Sequence, residues 1–287
     1  MTTRRNFLMG AAALAAAGPA FAQRPVPLGL QLYTVRADLA KDYEGTMRKL
    51  KDIGIRHVQA NLTMAGKSSA EQRKLYDSMG FVWQSIHAGG DELRVRLQAT
   101  IDEAKGAGIK NITCAFPLYP VDRAQIMAGP TLDDWKRNAD AFNKCGAACK
   151  AAGMSFAYHN HNLEFRKIGD VLPYDLLLQE TDPSLVQMEM DIGWVVAGGA
   201  DPVAYLTKYP GRYHSLHIKD LKNVGIPNNN MKMISAIIGK GIIDWKAVLA
   251  AAHKTKLERA FLEIEEPYDP SALEMVKQSF DFMHGQV

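Results

Sequence analysis

The stretch VQMEMDIGWVVAGGADPVAYLTKYPGRYHSLHIKD, residues 186–220, decides the fold. It opens and closes with short apolar runs, VQMEMD (186–191) and YHSLHIKD (213–220), and each run predicts a strand. The segment between the two runs is amphipathic and predicts a helix. A strand, a helix and a second strand in this order indicate neighbouring parallel strands of an α/β fold.

The same unit recurs along the chain. The runs that predict strands are 28–34, 57–61, 81–88, 111–116, 155–160, 186–191, 213–220 and 260–265. Segments of helical periodicity lie between them, and several end at a glycine that closes the helix, as at Gly54 and Gly108. Eight strands alternating with helices predict a single (β/α)8 barrel over residues 23–287. A doubly wound sheet is the alternative, but no glycine-rich dinucleotide or phosphate loop follows a strand.

Residues 1–22, MTTRRNFLMGAAALAAAGPAFA, form a separate segment with a basic start, an apolar middle and a small-residue end. The final AFA fits a cleavage site, so the segment predicts a signal peptide that is cleaved after Ala22. Arg4 and Arg5, followed by NFL, favour twin-arginine export over the ordinary Sec route. The predicted location is therefore the periplasm, with no membrane attachment after processing.

Composition narrows the class of function. The chain has 287 residues, of which 47% are hydrophobic and 23% charged, and this is ample for one large core. Loss of the first 22 residues removes two arginines and no acid, so the formal net charge falls from +3 to +1. That near-neutral charge argues against nucleic acid as a partner. The odd number of cysteines (Cys114, Cys145 and Cys149) argues against a disulfide framework.

Polar side chains gather where the predicted strands end, which is where (β/α)8 barrels carry their chemistry. The residues at these ends are Gln31, Gln59, His87, His159, Asp191, His217 and Glu263. The last four come from the consecutive strands five to eight. Two imidazoles and two carboxylates suit one divalent metal ion, and the sequence does not rank Mn, Zn, Co and Fe. Without a metal or a ligand to gather them, burying these groups costs several kcal/mol each.

These residues and their surroundings resemble a known family. The motifs are LGLQLYTVR at strand one, YHNHNLEF at strand five, MDIGWVVAGGADPVAYLTKYPGRYHSLHIKD through strands six and seven, GKGIIDW (239–245), and FLEIEEP at strand eight. In these motifs the chain is similar to the sugar phosphate isomerase/epimerase family, the xylose isomerase-like TIM barrels, over nearly all of residues 23–287. The resemblance implies metal-assisted proton transfer beside a sugar carbonyl, through an enediolate.

Members of that family typically bind the metal with Glu, Asp, His and Glu from strands five to eight. This chain matches the last three positions with Asp191, His217 and Glu263. It departs from the pattern at strand five, where HNH (159–161) replaces the Glu-Asn-His of many members. His159 lies at the ligand position and is the expected fourth ligand. His161 lies one side-chain period further along and is the alternative.

The resemblance also gives expected roles to the remaining polar residues. Catalytic roles are expected for Lys219, His87, His161 and Glu265, and substrate-binding roles for Gln31, Gln59, Glu164 and Trp194. Glu164 is a further candidate base, and Gln59 stands where many members have Glu. Lys219 shares strand parity with His217, so it points toward the metal ligands or pairs with Asp220 or Glu265.

The predicted function is a metal-dependent isomerase or epimerase of an unphosphorylated sugar or keto-sugar. A phosphorylated substrate is not expected, because the sequence has no phosphate-binding loop and export separates the protein from most sugar phosphates. Two alternatives share the fold: a 3-keto-sugar lyase or dehydratase that uses the same enediolate, and a non-catalytic sugar-binding barrel. A metal-dependent apurinic endonuclease is a third, and the near-neutral charge argues against it. The sequence makes no prediction of the oligomeric state.

Overall fold

The protein is a closed barrel of eight parallel strands, described over residues 26–287 in a computed structural model. The strands are β1 (Leu28–Gln31), β2 (His57–Ala60), β3 (Val82–Ala88), β4 (Asn111–Cys114), β5 (Ser155–His159), β6 (Val186–Asp191), β7 (Tyr213–Ile218) and β8 (Arg259–Leu262). Each strand pairs with the next along the chain, and β1 pairs with β8 to close the ring. The predicted (β/α)8 barrel and its eight strands are confirmed.

Helices connect successive strands and surround the barrel. Over residues 26–287 they are α1 (Arg36–Lys41), α2 (Tyr43–Ile53), α3 (Ser69–Met79), α4 (Gly90–Arg94), α5 (Leu97–Gly106), α6 (Arg123–Ala128), α7 (Leu132–Ala151), α8 (Pro173–Glu180), α9 (Ile192–Ala197), α10 (Pro202–Lys208), α11 (Trp245–Ala252) and α12 (Ala272–Met283). As predicted, α2 ends at Gly54, whose φ of 111° is left-handed and favours glycine. Within the described residues, no helix combines the length and apolar character needed to cross a bilayer.

The alternation of side chains gives the barrel wall two chemically different faces. Leu30, Val58 and Met188 are fully buried in the hydrophobic core that the strands share with the surrounding helices. The opposite face carries polar residues into the barrel interior. There the Gln59 amide donates hydrogen bonds to Ser85 of β3 and to a carboxylate of β6. The interior therefore supports a polar network directly beneath the strand ends.

Six of the eight strands end one to three residues earlier than the sequence predicted. After β1 the chain turns into a 3-10 helix, Leu32–Val35, because the Gln31 side chain accepts the Tyr33 N–H and caps the turn. β7 ends at Ile218 and β8 at Leu262, so the polar residues after them lie in loops. After β7, Asp220–Leu221 and Ser235–Ala236 form a short antiparallel pair that encloses the loop 222–234.

Two sequence predictions concern the cysteines and the signal peptide. Cys114, Cys145 and Cys149 are all buried and free. The predicted signal peptide, residues 1–22, lies outside the described residues, so its cleavage and its export route stay predictions.

Asp220 attaches the segment GKGIIDW (239–245) to the barrel. Its carboxylate accepts the backbone N–H groups of Gly239 and Gly241 at 3.0 and 3.2 Å and the indole N–H of Trp245 at 3.0 Å. A Cβ on Gly241 would lie 2.0 Å from this carboxylate, so the close approach requires glycine. Asp220 is therefore a structural anchor, and Lys219 pairs with Glu265 instead.

Replacing this anchor should destabilise the barrel. Asp220→Ala is expected to lower the free energy of unfolding by about 3 kcal/mol, because several N–H donors lose their acceptor. Chemical denaturation followed by circular dichroism measures the loss. Asp140→Ala, on the exposed face of α7, is the matched control and should stay within about 0.5 kcal/mol of wild type. Equal stability of the two variants would contradict the anchoring role.

Candidate active site

A cavity of about 570 Å³ opens at the C-terminal ends of the strands. Six residues predicted from the sequence line it: Gln31, His87, His159, His161, Glu263 and Glu265. They come from strands β1, β3, β5 and β8 or from the residues that follow those strands. The barrel therefore brings together side chains that lie far apart in the sequence.

Glu189 of β6 is the centre of the polar network beneath this cavity. Its carboxylate is fully buried and accepts hydrogen bonds from Ser215 Oγ at 2.7 Å and from Gln59 Nε2 at 3.0 Å. His87 Nε2 lies 2.8 Å and His217 Nε2 3.1 Å from its Oε1 atom. Burial acts to raise the pKa of Glu189, but the neighbouring histidines, His217 foremost, hold it well below its ordinary value. Glu189 is thus a permanent negative charge.

Sequence reasoning missed Glu189 as a site residue. Strand alternation could have indicated it, because Glu189 precedes Asp191 by two positions and therefore lies on the same face of β6. The pairing with His87 on β3, 102 positions away, depends on how the barrel closes and has no local sequence signal.

One cluster in this network has the composition of a metal site. His159, Asp191, His217 and Glu263 are buried, and one ligand atom from each lies within 4.8 Å of all the others. The Asp191 Oδ1 atom accepts the Trp194 N–H at 2.8 Å, while the buried Oδ2 atom accepts no hydrogen bond and lies in an ion pair 2.9 Å from Lys219 Nζ. Two imidazoles and two carboxylates are a donor set that fits a divalent cation. This cluster is the ligand set predicted from the sequence.

A second group of possible ligands in the described part of the chain, His87, His159, Glu189 and His217, shares two histidines with the first. Its single carboxylate, that of Glu189, already accepts hydrogen bonds from Ser215 and Gln59. The cluster containing Asp191 and Glu263 offers a cation two carboxylates instead of one.

Lys219 is fully buried among three carboxylates. Its Nζ atom lies 2.5 Å from Glu265 Oε1 and 2.9 Å from both Asp191 Oδ2 and Glu263 Oε2. Burial acts to lower the pKa of Lys219, but these carboxylates hold it well above its ordinary value. Lys219 does not line the cavity, and its expected role in proton transfer stays a prediction. It is a fixed cation that neutralises and positions the carboxylates of the site.

The two histidines of the cluster differ in protonation. Burial, with the charge of His217 adding to it, lowers the pKa of His159 to about 3. Burial acts against the charged form of His217 as well, but Glu189 and Glu263 raise its pKa to about 10. His217 Nδ1 lies 2.8 Å from Glu263 Oε2, and its Nε2 lies 2.6 Å from the side-chain oxygen of Gln59. His217 must therefore lose a proton to become a metal ligand, whereas His159 is already neutral.

His161 stands beside the cluster and outside it. Its ring lies 4.9 Å from the ring of His159 and 4.9 Å from that of Phe116, measured between centroids. Burial lowers its pKa well below the ordinary value, and its Nδ1 atom has no hydrogen-bond partner. The geometry favours His159 as the fourth ligand and leaves His161 as a neutral imidazole in the cavity wall.

Two residues that were expected to bind substrate lie deeper in the wall. Glu164 is fully buried, and its carboxylate accepts the Tyr158 hydroxyl at 2.5 Å and the His161 backbone N–H at 3.1 Å. Burial raises the pKa of Glu164 to about 7. Trp194 is also buried, with its ring centroid 5.1 Å from Lys219 Nζ. Both support neighbouring groups, because they lie in the layer below the cavity surface.

Gln59 also lies below the cavity surface. It is fully buried, accepts a hydrogen bond from Gln31 at 2.9 Å and donates to Glu189 at 3.0 Å. Only Gln31 of this pair lines the cavity. The side chain of Gln59 points into the barrel interior from the middle of β2, so it reaches the network and not the opening.

The fold and this site define a class of protein. The chain belongs to the xylose isomerase-like TIM barrel family, whose family model matches residues 47–285. It is similar to a sugar phosphate isomerase/epimerase from Parabacteroides distasonis ATCC 8503, with 26% identity and a TM-score of 0.73 over 90% of this chain and 97% of the other. A further structure with this description and from the same organism is 22% identical, with a TM-score of 0.74, over 96% of this chain and 99% of the other.

Among curated proteins, the inosose dehydratase of Clostridium tetani is 30% identical over 151 residues. The matched segment is 49% of this chain and 50% of that relative, so the chain spans about half the length of the relative it matches.

The cluster predicts which substitutions remove the metal. Asp191→Ala and His159→Ala should each weaken Mn²⁺ or Zn²⁺ binding at least about 100-fold, because three remaining donors do not complete the shell. His161→Ala is the matched control for His159→Ala and should retain stoichiometric metal. Elemental analysis measures the metal content, with folding checked by circular dichroism. Loss of metal in His161→Ala but not in His159→Ala would reverse the assignment.

Lys219 should compete with the metal for oxygen atoms. Lys219→Met is expected to tighten Mn²⁺ binding at least about tenfold, because removing an ammonium group beside two ligands removes both repulsion and competition. Isothermal titration calorimetry measures the affinity. The exposed Lys222→Met is the control and should bind as wild type does. Weaker binding in Lys219→Met would show that the lysine supports the metal site.

Proposed function

We propose that this protein is a metal-dependent isomerase or epimerase of an unphosphorylated sugar or keto-sugar. It moves a proton at the carbon next to a carbonyl, through an enediolate. The observation that carries the proposal is the neutral imidazole of His161, which faces the same cavity as His159 and Glu263 of the metal-ligand cluster. A base beside a cation site is the arrangement that enolisation requires.

Three residues of the cavity wall, His161, His87 and Glu265, have a role in this chemistry. A bound divalent cation supplies stabilisation of the negative charge that develops on the substrate oxygen. His161 accepts the proton on its imidazole ring, which lines the cavity and is uncharged before the substrate enters. His87 of β3, held by Glu189 at 2.8 Å, orients a substrate hydroxyl. Glu265 lines the cavity with its side chain 30% exposed and accepts a second hydroxyl.

A dehydratase is the second candidate, and the 30% identity to an inosose dehydratase favours it. Both reactions begin with removal of the proton next to the carbonyl. In an isomerase or epimerase that proton returns to carbon, whereas in a dehydratase the hydroxyl of the β carbon is protonated and leaves as water. The same base therefore serves either outcome, and the substrate's leaving hydroxyl decides between them.

The proposal includes a location for the protein, the periplasm. Residues 1–22 support export to the periplasm, and they alone support it. The absence of a glycine-rich phosphate loop in the sequence supports an unphosphorylated sugar as the small-molecule partner.

Proton exchange in deuterated water tests the function directly. The mature protein, loaded with Mn, Zn or Co in turn, is incubated with ketohexoses, 3-ketoglucose and inosose, and the products are followed by NMR. A new epimer or isomer with deuterium beside the carbonyl supports the first candidate, and a dehydrated enone supports the second. Binding without exchange contradicts both and identifies a non-catalytic sugar-binding barrel.

The role of His161 gives the matching variant. His161→Asn should lower the exchange rate at least about 100-fold, the usual contribution of a positioned base, with metal content unchanged. Because its pKa lies well below 6.5, wild-type exchange should persist as the pH falls below 6.5. His284→Asn, at an exposed histidine after α12, is the control. Wild-type exchange in His161→Asn would assign the base to another residue.

A further inference from the structure

The cavity has two zones of different chemistry. Its floor is polar and consists of His87, His159, His161, Glu263 and Glu265. Its rim, which we define as Tyr33, Asn61, Phe116, Arg123 and Met231, is aromatic and apolar with two polar groups. The proposed proton transfer uses the floor alone, so the rim has no role in that reaction.

The cavity is larger than one sugar ring. A hexose has about 12 non-hydrogen atoms and fills at most roughly 360 Å³, even at the loose value of about 30 Å³ that each water molecule occupies in the liquid. The cavity holds about 570 Å³. A ring that reacts on the floor therefore leaves space in front of the rim.

The aromatic groups of the rim are held in place. The guanidinium of Arg36 lies 4.1 Å from the ring centroid of Tyr33, yet Tyr33 remains 46% exposed. Arg36 is itself fixed by Tyr268 at 3.2 Å and by Glu266 at 3.1 Å. An exposed aromatic ring that packs against a fixed guanidinium is preorganised for a flat apolar face of a ligand.

Phe116 connects the rim to the floor. Its ring centroid lies 4.9 Å from that of the proposed base, His161, and 5.2 Å from the guanidinium of Arg123. Arg123 and Asn61 are exposed, and they add hydrogen-bond donors next to the aromatic surface. Aromatic faces with a few polar groups beside them match a sugar, which has apolar C–H faces and a hydroxylated edge.

We propose that the rim binds a second sugar ring, so that the substrate is a disaccharide or another sugar glycoside with its reacting ring on the floor. This proposal rests on the proposed function only for the position of the reacting ring. It makes Tyr33 and Phe116 determinants of specificity and leaves the proton transfer to the floor.

Binding measurements on the Mn²⁺-loaded protein test the proposal. Isothermal titration calorimetry compares glucose with cellobiose, maltose and trehalose, which join two glucose rings by different linkages. At least one disaccharide should bind tenfold or more tightly than glucose. Tyr33→Ala and Phe116→Ala should reduce this ratio to less than threefold, with the affinity for glucose unchanged. Val82→Ala is the control, because Val82 is exposed at the N-terminal end of β3, away from the cavity.

Two outcomes would overturn the second-ring subsite. One is that no disaccharide binds more tightly than glucose, including the case in which none of these sugars binds. The other is that glucose 6-phosphate gains as much as a disaccharide and loses the gain in Arg123→Ala, which would identify a phosphate subsite. The proton-exchange assay tests the proposed reaction independently of this binding test. A preference for a disaccharide without proton exchange would support the subsite and contradict only the proposed reaction.

Discussion

The buried carboxylate of Glu189 is the interaction on which the site depends. A fully buried negative charge is costly unless it is paired and hydrogen-bonded, and here Ser215, Gln59 and His87 supply the partners. These residues belong to β7, β2 and β3, so one side chain on β6 fixes groups on three other strands. The barrel places Glu189 at its centre, and Glu189 in turn orients the imidazoles above it.

The charges around this centre do not cancel within the protein. The carboxylates are those of Glu189, Asp191, Glu263 and Glu265, and the cations are Lys219 and protonated His217. These six charged side chains together therefore have an excess of negative charge when no metal is bound. At Asp191, burial raises the pKa to about 6, with Lys219 opposing the shift and Glu263 adding to it. A divalent cation is the ligand that such a cluster attracts most strongly.

The sequence was sufficient for the architecture and for most of the site, for a physical reason. Strand alternation and strand order decide which side chains reach the barrel mouth, so His159, Asp191, His217 and Glu263 were predictable as one cluster. Depth along the barrel axis was not predictable. Strand ends, such as the turn after Gln31, depend on local hydrogen bonds. For this reason Gln59, Glu164 and Trp194 were expected at the cavity surface and lie below it.

This charge balance gives a physical reason for a histidine, and not a glutamate, at position 159. A glutamate there would add another negative charge to a group of side chains that already includes four carboxylates. The buried Lys219 neutralises part of that charge. Position 159 is uncharged, because burial, with His217 adding to it, lowers the pKa of His159 to about 3. With a neutral imidazole at this position, two carboxylate ligands remain for a divalent cation, and their charges match. His159 at the end of β5 and the buried Lys219 after β7 therefore have the same effect. Both reduce the negative charge that a bound metal ion would have to neutralise.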